Sequence, residues 1–134
     1  MNNRAYVATR KGLFTVERSA AGSEWTGGGV DFLGAPVTMF LRDHRDGRLY
    51  AALNHSHFGT KLHRSDDDGE NWEECAVPAY PQEAVVGRHS FSDESGPLNQ
   101  RKPASLYEIW ALETGGDDRP KLLWAGTIPG GLFR

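Results

Sequence analysis

The sequence has little cysteine, no long apolar run and no concentration of positive charge, and each of these absences excludes a class of protein. Cys75 is the one cysteine in 134 residues, so neither an intrachain disulfide nor a cysteine-based zinc site can form. Residues 1–7 lack the apolar core of a signal peptide, and no apolar run approaches the length of a membrane span. We therefore expect a cytoplasmic protein without a membrane partner.

The charge balance is mildly acidic, with 15 Lys and Arg residues against 18 Asp and Glu residues and a formal net charge of −3. Because nucleic-acid binding needs a concentrated basic surface, no nucleic-acid partner is expected. Sixteen glycines and four tryptophans indicate many tight turns and bulky packing residues, a mixture typical of all-β folds. No cofactor is expected, and no metal ligand is assigned.

Three segments of the chain align with one another as an aromatic-led strand, a turn and a second strand. The first two units lie about 44 residues apart, which is within the range of propeller blades. The third unit follows after about 74 residues, and the excess falls in residues 79–103, which read as a long inserted loop. The units are residues 5–9 with 12–19, 49–53 with 61–65, and 123–127 with 131–134.

Alternation of apolar and polar residues predicts the strands. Residues 105–114 are ambiguous, since Leu106, Ile109, Trp110 and Glu113 also fit a helical period, and we predict a strand there because the repeat requires one. The predicted strands cover residues 4–9 and 13–18 in the first unit, which ends near Trp25; 37–42, 49–53, 61–65 and 72–77 in the second; and 105–113, 122–127 and from 132 onward in the third.

The segment at residues 65–72, Ser-Asp-Asp-Asp-Gly-Glu-Asn-Trp, resembles the Asp-box motif, Ser-x-Asp-x-Gly-x-Thr-Trp. Ser65, Asp67, Gly69 and Trp72 match, and Asn71 replaces threonine. Short polar side chains accept backbone N–H groups in tight turns, glycine adopts positive φ at no steric cost, and the tryptophan packs beside the turn. Residues 19–25 keep Ser, Gly and Trp as a degenerate copy of the motif.

The acidic run does not form a calcium loop. Such a loop needs acidic residues at its first and twelfth positions, where this sequence has Arg64 and Cys75.

The chain resembles the amino-terminal part of bacterial sialidase-like, or glycosyl hydrolase BNR-repeat, proteins. The resemblance is carried by the Asp-box motif, by residues 54–59 and by the ending 125–134. The resemblance implies an all-β fold, a sialidase-like β-propeller of four-stranded antiparallel blades, present as about two and a half blades. We assign blade one to about 4–30, blade two to about 36–78, the inserted loop to about 79–104 and incomplete blade three to about 105–134. Such a fragment is expected to self-associate through open sheet edges.

In an up-and-down blade, alternate turns lie at opposite ends, which places the Asp-box at one end and the candidate ligand-binding residues Asn54, His55, His57 and Arg10 at the other. His55 and His57 are two residues apart, so in a continuing strand they point to one side. They are candidates for contacting a ligand or a metal, or for satisfying the loop and stacking on Phe58. Arg10 is suited to hold an anionic ligand or to remain a solvated turn charge.

The resemblance implies binding of a sugar or other small molecule at that end, with glycoside hydrolysis a candidate activity of a complete protein. Sialidase chemistry needs an arginine triad, and the family's Phe-Arg-Ile-Pro segment is absent; residues 127–130 lack the arginine. A glycosidase needs two carboxylates across the scissile bond, and the sequence places no such pair among Asp31, Glu108 and Glu113. No catalytic residue is therefore assigned, and the alternative function is a non-catalytic propeller scaffold for protein interaction.

Overall fold

The computed structural model describes residues 3–86 and 102–134, and within these residues the chain is antiparallel β-structure without a helix. The predicted all-β class is confirmed, and no helix capable of crossing a membrane occurs in the described part. The loop predicted over residues 79–104 lies largely outside the described residues, as do its polar residues His89, Asp93 and Glu94.

The strands of these described residues form four sheets, each with its strands in sequence order. Sheet 1 contains β1 (Arg4–Thr9), β2 (Gly12–Glu17) and β3 (Thr26–Asp31). Sheet 2 contains β4 (Val37–Arg42), β5 (Leu49–His55), β6 (Gly59–Ser65) and β7 (Glu73–Cys75). A small sheet pairs β8 (Val85–Val86) with β9 (Lys102–Pro103). Sheet 3 contains β10 (Glu108–Thr114), β11 (Leu123–Ile128) and β12 (Gly131–Phe133).

Most predicted strands appear within three residues of their expected bounds, and the prediction of 4–9 and 37–42 is confirmed at both ends. The strand Thr26–Asp31 was not predicted, because its Gly27, Gly28 and Gly29 carry no side chains and so show no alternation. It forms by backbone pairing with β2, in which Phe14 lies opposite Val30.

The ambiguous stretch is strand β10, and a β-bulge explains its helix-like pattern. The register with β11 shifts between Ile109 and Ala111, which leaves Trp110 as the extra residue. A bulge delays the alternation by one residue, so Ile109 and Leu112 both face the core although they are three positions apart. Sheet 2 contains a bulge between Val37 and Met39.

The three larger sheets pack face to face, with β5 of sheet 2 buried on both sides. Ala51 and Leu53 belong to the apolar cluster shared with sheet 1, whose other members are Leu13, Ala35 and Val37. Tyr50 and Ala52 belong to the cluster shared with sheet 3, whose other members are Leu62, Ile109, Leu112 and Ala125. Side chains of successive residues in β5 therefore pack alternately against sheet 1 and sheet 3.

Side-chain contacts reinforce both packing interfaces. Tyr6 of sheet 1 stacks on Phe40 of sheet 2 with ring centroids 4.7 Å apart. Thr38, the extra residue of the bulge in sheet 2, donates its hydroxyl to the carbonyl oxygen of Ile109 at 2.7 Å. The position of each sheet relative to the next is thus fixed by aromatic packing and by hydrogen bonds.

Candidate functional site

Residues 65–72, called the clasp below, form a closed hydrogen-bonded turn between β6 and β7. The buried Ser65 hydroxyl donates to Asp67 Oδ1 at 2.8 Å and accepts the Gly69 N–H at 2.9 Å. Asp67 in turn accepts the Asn71 backbone N–H at 2.8 Å and the Asn71 side-chain amide at 2.7 Å. The short polar side chains thus satisfy backbone donors that a tight turn would leave unpaired.

Backbone conformation explains Gly69 of the motif, and packing explains Trp72. Gly69 has φ of +95°, a region that side chains disfavour. Trp72 packs edge-on against Phe32 with ring centroids 4.9 Å apart, which joins the clasp to the segment that follows sheet 1. The clasp is therefore a structural device that connects two sheets.

The clasp also lies beside the first turn of sheet 2. Arg48, at the end of the β4–β5 turn, donates through Nε to Asp66 Oδ1 at 2.8 Å. As the alternation of turns predicted, the β4–β5 and β6–β7 turns share one end of the sheet. The β1–β2 and β5–β6 turns belong to the opposite end.

The lowered pKa of Asp67 predicts that the clasp contributes less to the stability of the fold in acid. The Asn71 side chain first, then the Asn71 backbone and Ser65, hold the pKa of Asp67 at about 2, below its ordinary value of 3.8. A carboxylate with a lowered folded-state pKa stabilises the fold fully above the unfolded value, and this contribution is lost as the pH falls from 3.8 through 2. The stability advantage of the wild type over Asp67→Asn should therefore shrink over this interval.

Thermal unfolding followed by circular dichroism at several pH values measures this effect. Glu70→Gln is the matched control, since the Glu70 side chain forms no hydrogen bond or ion pair within residues 3–86 and 102–134, and it should show no such convergence with the wild type. A constant difference between wild type and Asp67→Asn down to pH 2 would contradict the assignment.

A cavity of about 320 Å³ lies between the clasp and sheet 1. Most of its carboxylates already have partners: Arg4 pairs with Glu17 and Asp68, and the Tyr6 hydroxyl donates to Asp68 Oδ1 at 3.1 Å. Burial raises the pKa of Asp31, and the Trp72 side chain opposes this shift. We interpret these contacts as fastening the clasp to sheet 1. The lining residues are Arg4, Thr15, Glu17, Gly28, Gly29, Asp31 and residues 67–70.

The opposite end brings together side chains of sheets 2 and 3. Asn54 extends its amide to within 3.5 Å of Glu108 Oε2. Beside it, Thr60 donates to the carbonyl oxygen of Tyr107 at 2.6 Å, which fixes the entry to β10. His55 lies edge-on to Phe58 at 6.1 Å, and Phe58 is 77% exposed. An amide, a carboxylate, an imidazole and exposed aromatic rings therefore share this end.

Arg10 and His57 are exposed, and within the described residues no hydrogen bond or ion pair joins Arg10 to His55 or His57. The turn that carries Arg10 is fixed by its neighbour, because the Lys11 carbonyl accepts the Gly34 N–H at 2.9 Å. In the described part of the chain, no group of three or more His, Cys, Asp or Glu side chains is arranged to hold a metal ion.

Sequence reasoning did not place two residues, one at this end and one in the packing between sheets 1 and 2. Glu108 was noted but not placed, because its contact with Asn54 depends on how two sheets stack. His63 was not singled out, and burial lowers its pKa while its Nδ1 lacks a hydrogen-bond partner within the described residues. Its ring lies 4.9 Å from that of Phe32, so it serves in the packing between sheets 1 and 2.

Cys75 is also a packing residue. It is partly buried against the cluster that contains Tyr50. Its thiol pKa is raised chiefly by burial, which the nearby Arg64 guanidinium opposes, and the Glu73 carboxylate raises it further.

Comparison with known proteins does not add a family assignment. A scan against models of known protein families finds no match. A search of curated proteins likewise finds no relative. The functional argument therefore depends on the residues and their geometry.

Proposed function

We propose that the chain forms blades of a sialidase-like Asp-box β-propeller, with sheets 1, 2 and 3 as successive blades. The observation that carries this proposal is the repetition of structure. Sheets 2 and 3 have bulges at corresponding positions, after Val37 and Ile109, and those residues pair with Leu53 and Thr127 at the same place in the repeat. Face-to-face stacking of antiparallel meanders is the packing that propeller blades use.

We further propose that the propeller binds a sugar or other small polar molecule at the end opposite the clasp. Sugars present both hydroxyl groups and apolar C–H faces. Glu108 and Asn54 supply a hydrogen-bond acceptor and an amide, while Phe58 and Tyr107 supply exposed rings beside them. Loops on a rigid β-scaffold are the usual position for such contacts.

Binding can be tested by saturation-transfer NMR with glucose, galactose, N-acetylglucosamine and sialic acid as separate probes. We expect at least one sugar to bind the wild type. Phe58→Ala and Glu108→Gln should each weaken the affinity for that sugar at least about tenfold, or by about 1.4 kcal/mol. His55→Ala should weaken binding as well, because it removes the ring against which Phe58 lies.

His44→Ala is the matched control. His44 is an exposed histidine in the β4–β5 turn at the clasp end, where its Nε2 lies 3.0 Å from Asp117 Oδ1. Its replacement should leave sugar binding unchanged. If His55→Ala, Phe58→Ala and Glu108→Gln all bind the sugar as the wild type does, the proposed location is wrong.

A non-catalytic scaffold for protein interaction is the second candidate. Tyr107 and Phe58 are both largely exposed, and exposed aromatic side chains are also enriched at protein interfaces. A glycoside hydrolase would require a second carboxylate across the bond from Glu108. Failure of every sugar probe to bind, with the fold intact, would favour the scaffold.

A further inference from the structure

Each large sheet has a backward face, which points toward the preceding sheet, and a forward face, which points toward the next. The backward face of sheet 2 packs on the forward face of sheet 1, where Leu53 meets the cluster of Leu13. The backward face of sheet 3 packs on the forward face of sheet 2, where Ile109 meets Ala52 and Leu62. The chain therefore makes the same kind of contact, backward face on forward face, twice.

The backward face of sheet 1 is left uncovered by residues 3–86 and 102–134. Val7, Phe14 and Val30 lie opposite one another across the three strands and form one apolar row. Val7 is 45% exposed, and Ala5 and Val16 continue the same face as a cross-strand pair. The strand positions of this face carry no charged residue.

The forward face of sheet 3 likewise has no covering element within the described part of the chain. Ala111, Gly126 and Leu132 form a row across β10, β11 and β12, and Leu132 is 71% exposed. Trp110, 61% exposed, places its indole next to Gly126, so that a side chain at 126 would meet the ring nitrogen at 3.4 Å.

The corresponding row of sheet 2 shows what such a forward face packs against. It consists of Met39, Ala52 and Leu62, paired in the same register, and sheet 3 covers it. Large exposed apolar surfaces mark interaction sites, and in this molecule the partner of a forward face is a backward face.

We propose that a second copy of this chain covers both surfaces: the forward face of sheet 3 in each copy packs on the backward face of sheet 1 in the other. The contact joins unlike surfaces and is therefore heterologous, so it either closes a ring or extends as a filament. Two copies bring six large sheets together, which is within the four to eight blades of closed propellers. Closure of the ring rests on the propeller arrangement proposed above, whereas the face-to-face contact does not.

Sedimentation of the full 134-residue chain tests the contact. The wild type should sediment at twice the mass of the chain. Val7→Glu on the backward face and Leu132→Glu on the forward face should each raise the dissociation constant at least about tenfold, or about 1.4 kcal/mol. Leu33→Glu is the control, since Leu33 is 76% exposed in the link between sheets 1 and 2 and lies on neither face.

Mixing the two variants separates a heterologous contact from a symmetric one. A dimer of Val7→Glu with Leu132→Glu contains one unaltered interface, whereas each variant paired with itself contains none. The mixture should therefore associate more tightly than either variant alone, and a variant that failed to fold could not restore association in this way.

Three results would overturn the proposal. A wild type that remains a monomer at high concentration excludes the face contact and leaves the propeller proposal standing. A dimer that both glutamate variants leave intact excludes these faces as its interface. Open polymers that grow with concentration and are blocked by the same variants exclude the closed ring, and with it the propeller curvature.

Discussion

Replacement of Arg45 by alanine should leave the buried Asp43 carboxylate without its cation, at a cost of about 3–5 kcal/mol in the free energy of unfolding. Arg45 donates through Nε to Asp43 Oδ1 at 2.8 Å and through Nη2 to Asp43 Oδ2 at 2.6 Å. This two-point pairing is the strongest form of ion pair between these groups, and hydrogen bonding to Arg45 lowers the pKa of Asp43.

The same guanidinium also connects two sheets. Arg45 Nη1 donates to the carbonyl oxygen of Arg119 at 2.7 Å, and Nη2 donates to that of Leu122 at 3.1 Å. Both carbonyls belong to the turn between β10 and β11, so the alanine variant loses contacts between sheets 2 and 3 in addition to the ion pair.

Urea unfolding of wild type, Arg45→Ala and Arg45→Lys measures this loss. Lysine restores the charge without the planar pair of donors, so it should recover only part of the stability. Arg48→Ala is the matched control, because exposed ion pairs such as those of Arg48 with Asp46 and Asp66 contribute little. In an Asp43→Asn background Arg45→Ala should cost less, since no carboxylate is left unpaired, and equal costs in both backgrounds would contradict this explanation.

The second large effect concerns the apolar contacts between sheets. Leu53→Ala and Ile109→Ala should each lower the free energy of unfolding by about 2–5 kcal/mol, because both side chains are fully buried and truncation leaves a cavity. Leu53 lies in the cluster between sheets 1 and 2, and Ile109 lies in the cluster between sheets 2 and 3. The two variants therefore probe the two interfaces separately.

Leu33→Ala serves as the control, since truncation of an exposed leucine changes stability by about 0.5 kcal/mol at most. Both buried variants should unfold in one transition, like the wild type, because β5 contributes to both clusters. An Ile109→Ala variant whose sheet 3 unfolds in an earlier, separate transition would show that the sheets are independent folding units.

How far the sequence predicts this fold depends on the range of the interaction. The strands of sheet 2 were predicted closely, since alternation and turn residues act over a few positions. The bulge at Trp110 made β10 resemble a helix, and the prediction of a strand there came from the repeat. The strand Thr26–Asp31 was missed because its glycines contribute backbone hydrogen bonds to β2 and no side-chain pattern.

In the candidate site, too, short-range contacts could be predicted from the sequence and long-range contacts could not. The turn at residues 65–72 followed from Ser65, Asp67 and Gly69, which contact one another within four positions of the chain. The contact of Asn54 with Glu108 spans 54 positions and depends on the stacking of sheets 2 and 3. That Arg10 and His57 contact a ligand remains a prediction, which a binding experiment can test.

The sequence by itself determined the all-β class, the strands of sheet 2, most strands of sheets 1 and 3 and the hydrogen-bonding residues of the clasp, because these follow from local alternation and turn chemistry. Only the tertiary structure decided which turns meet, as in the reach of Arg45 across 74 positions to Arg119. It also decided which apolar faces the described residues leave uncovered. Both depend on the packing of whole sheets, and alternation within a single strand does not specify which sheet lies against it.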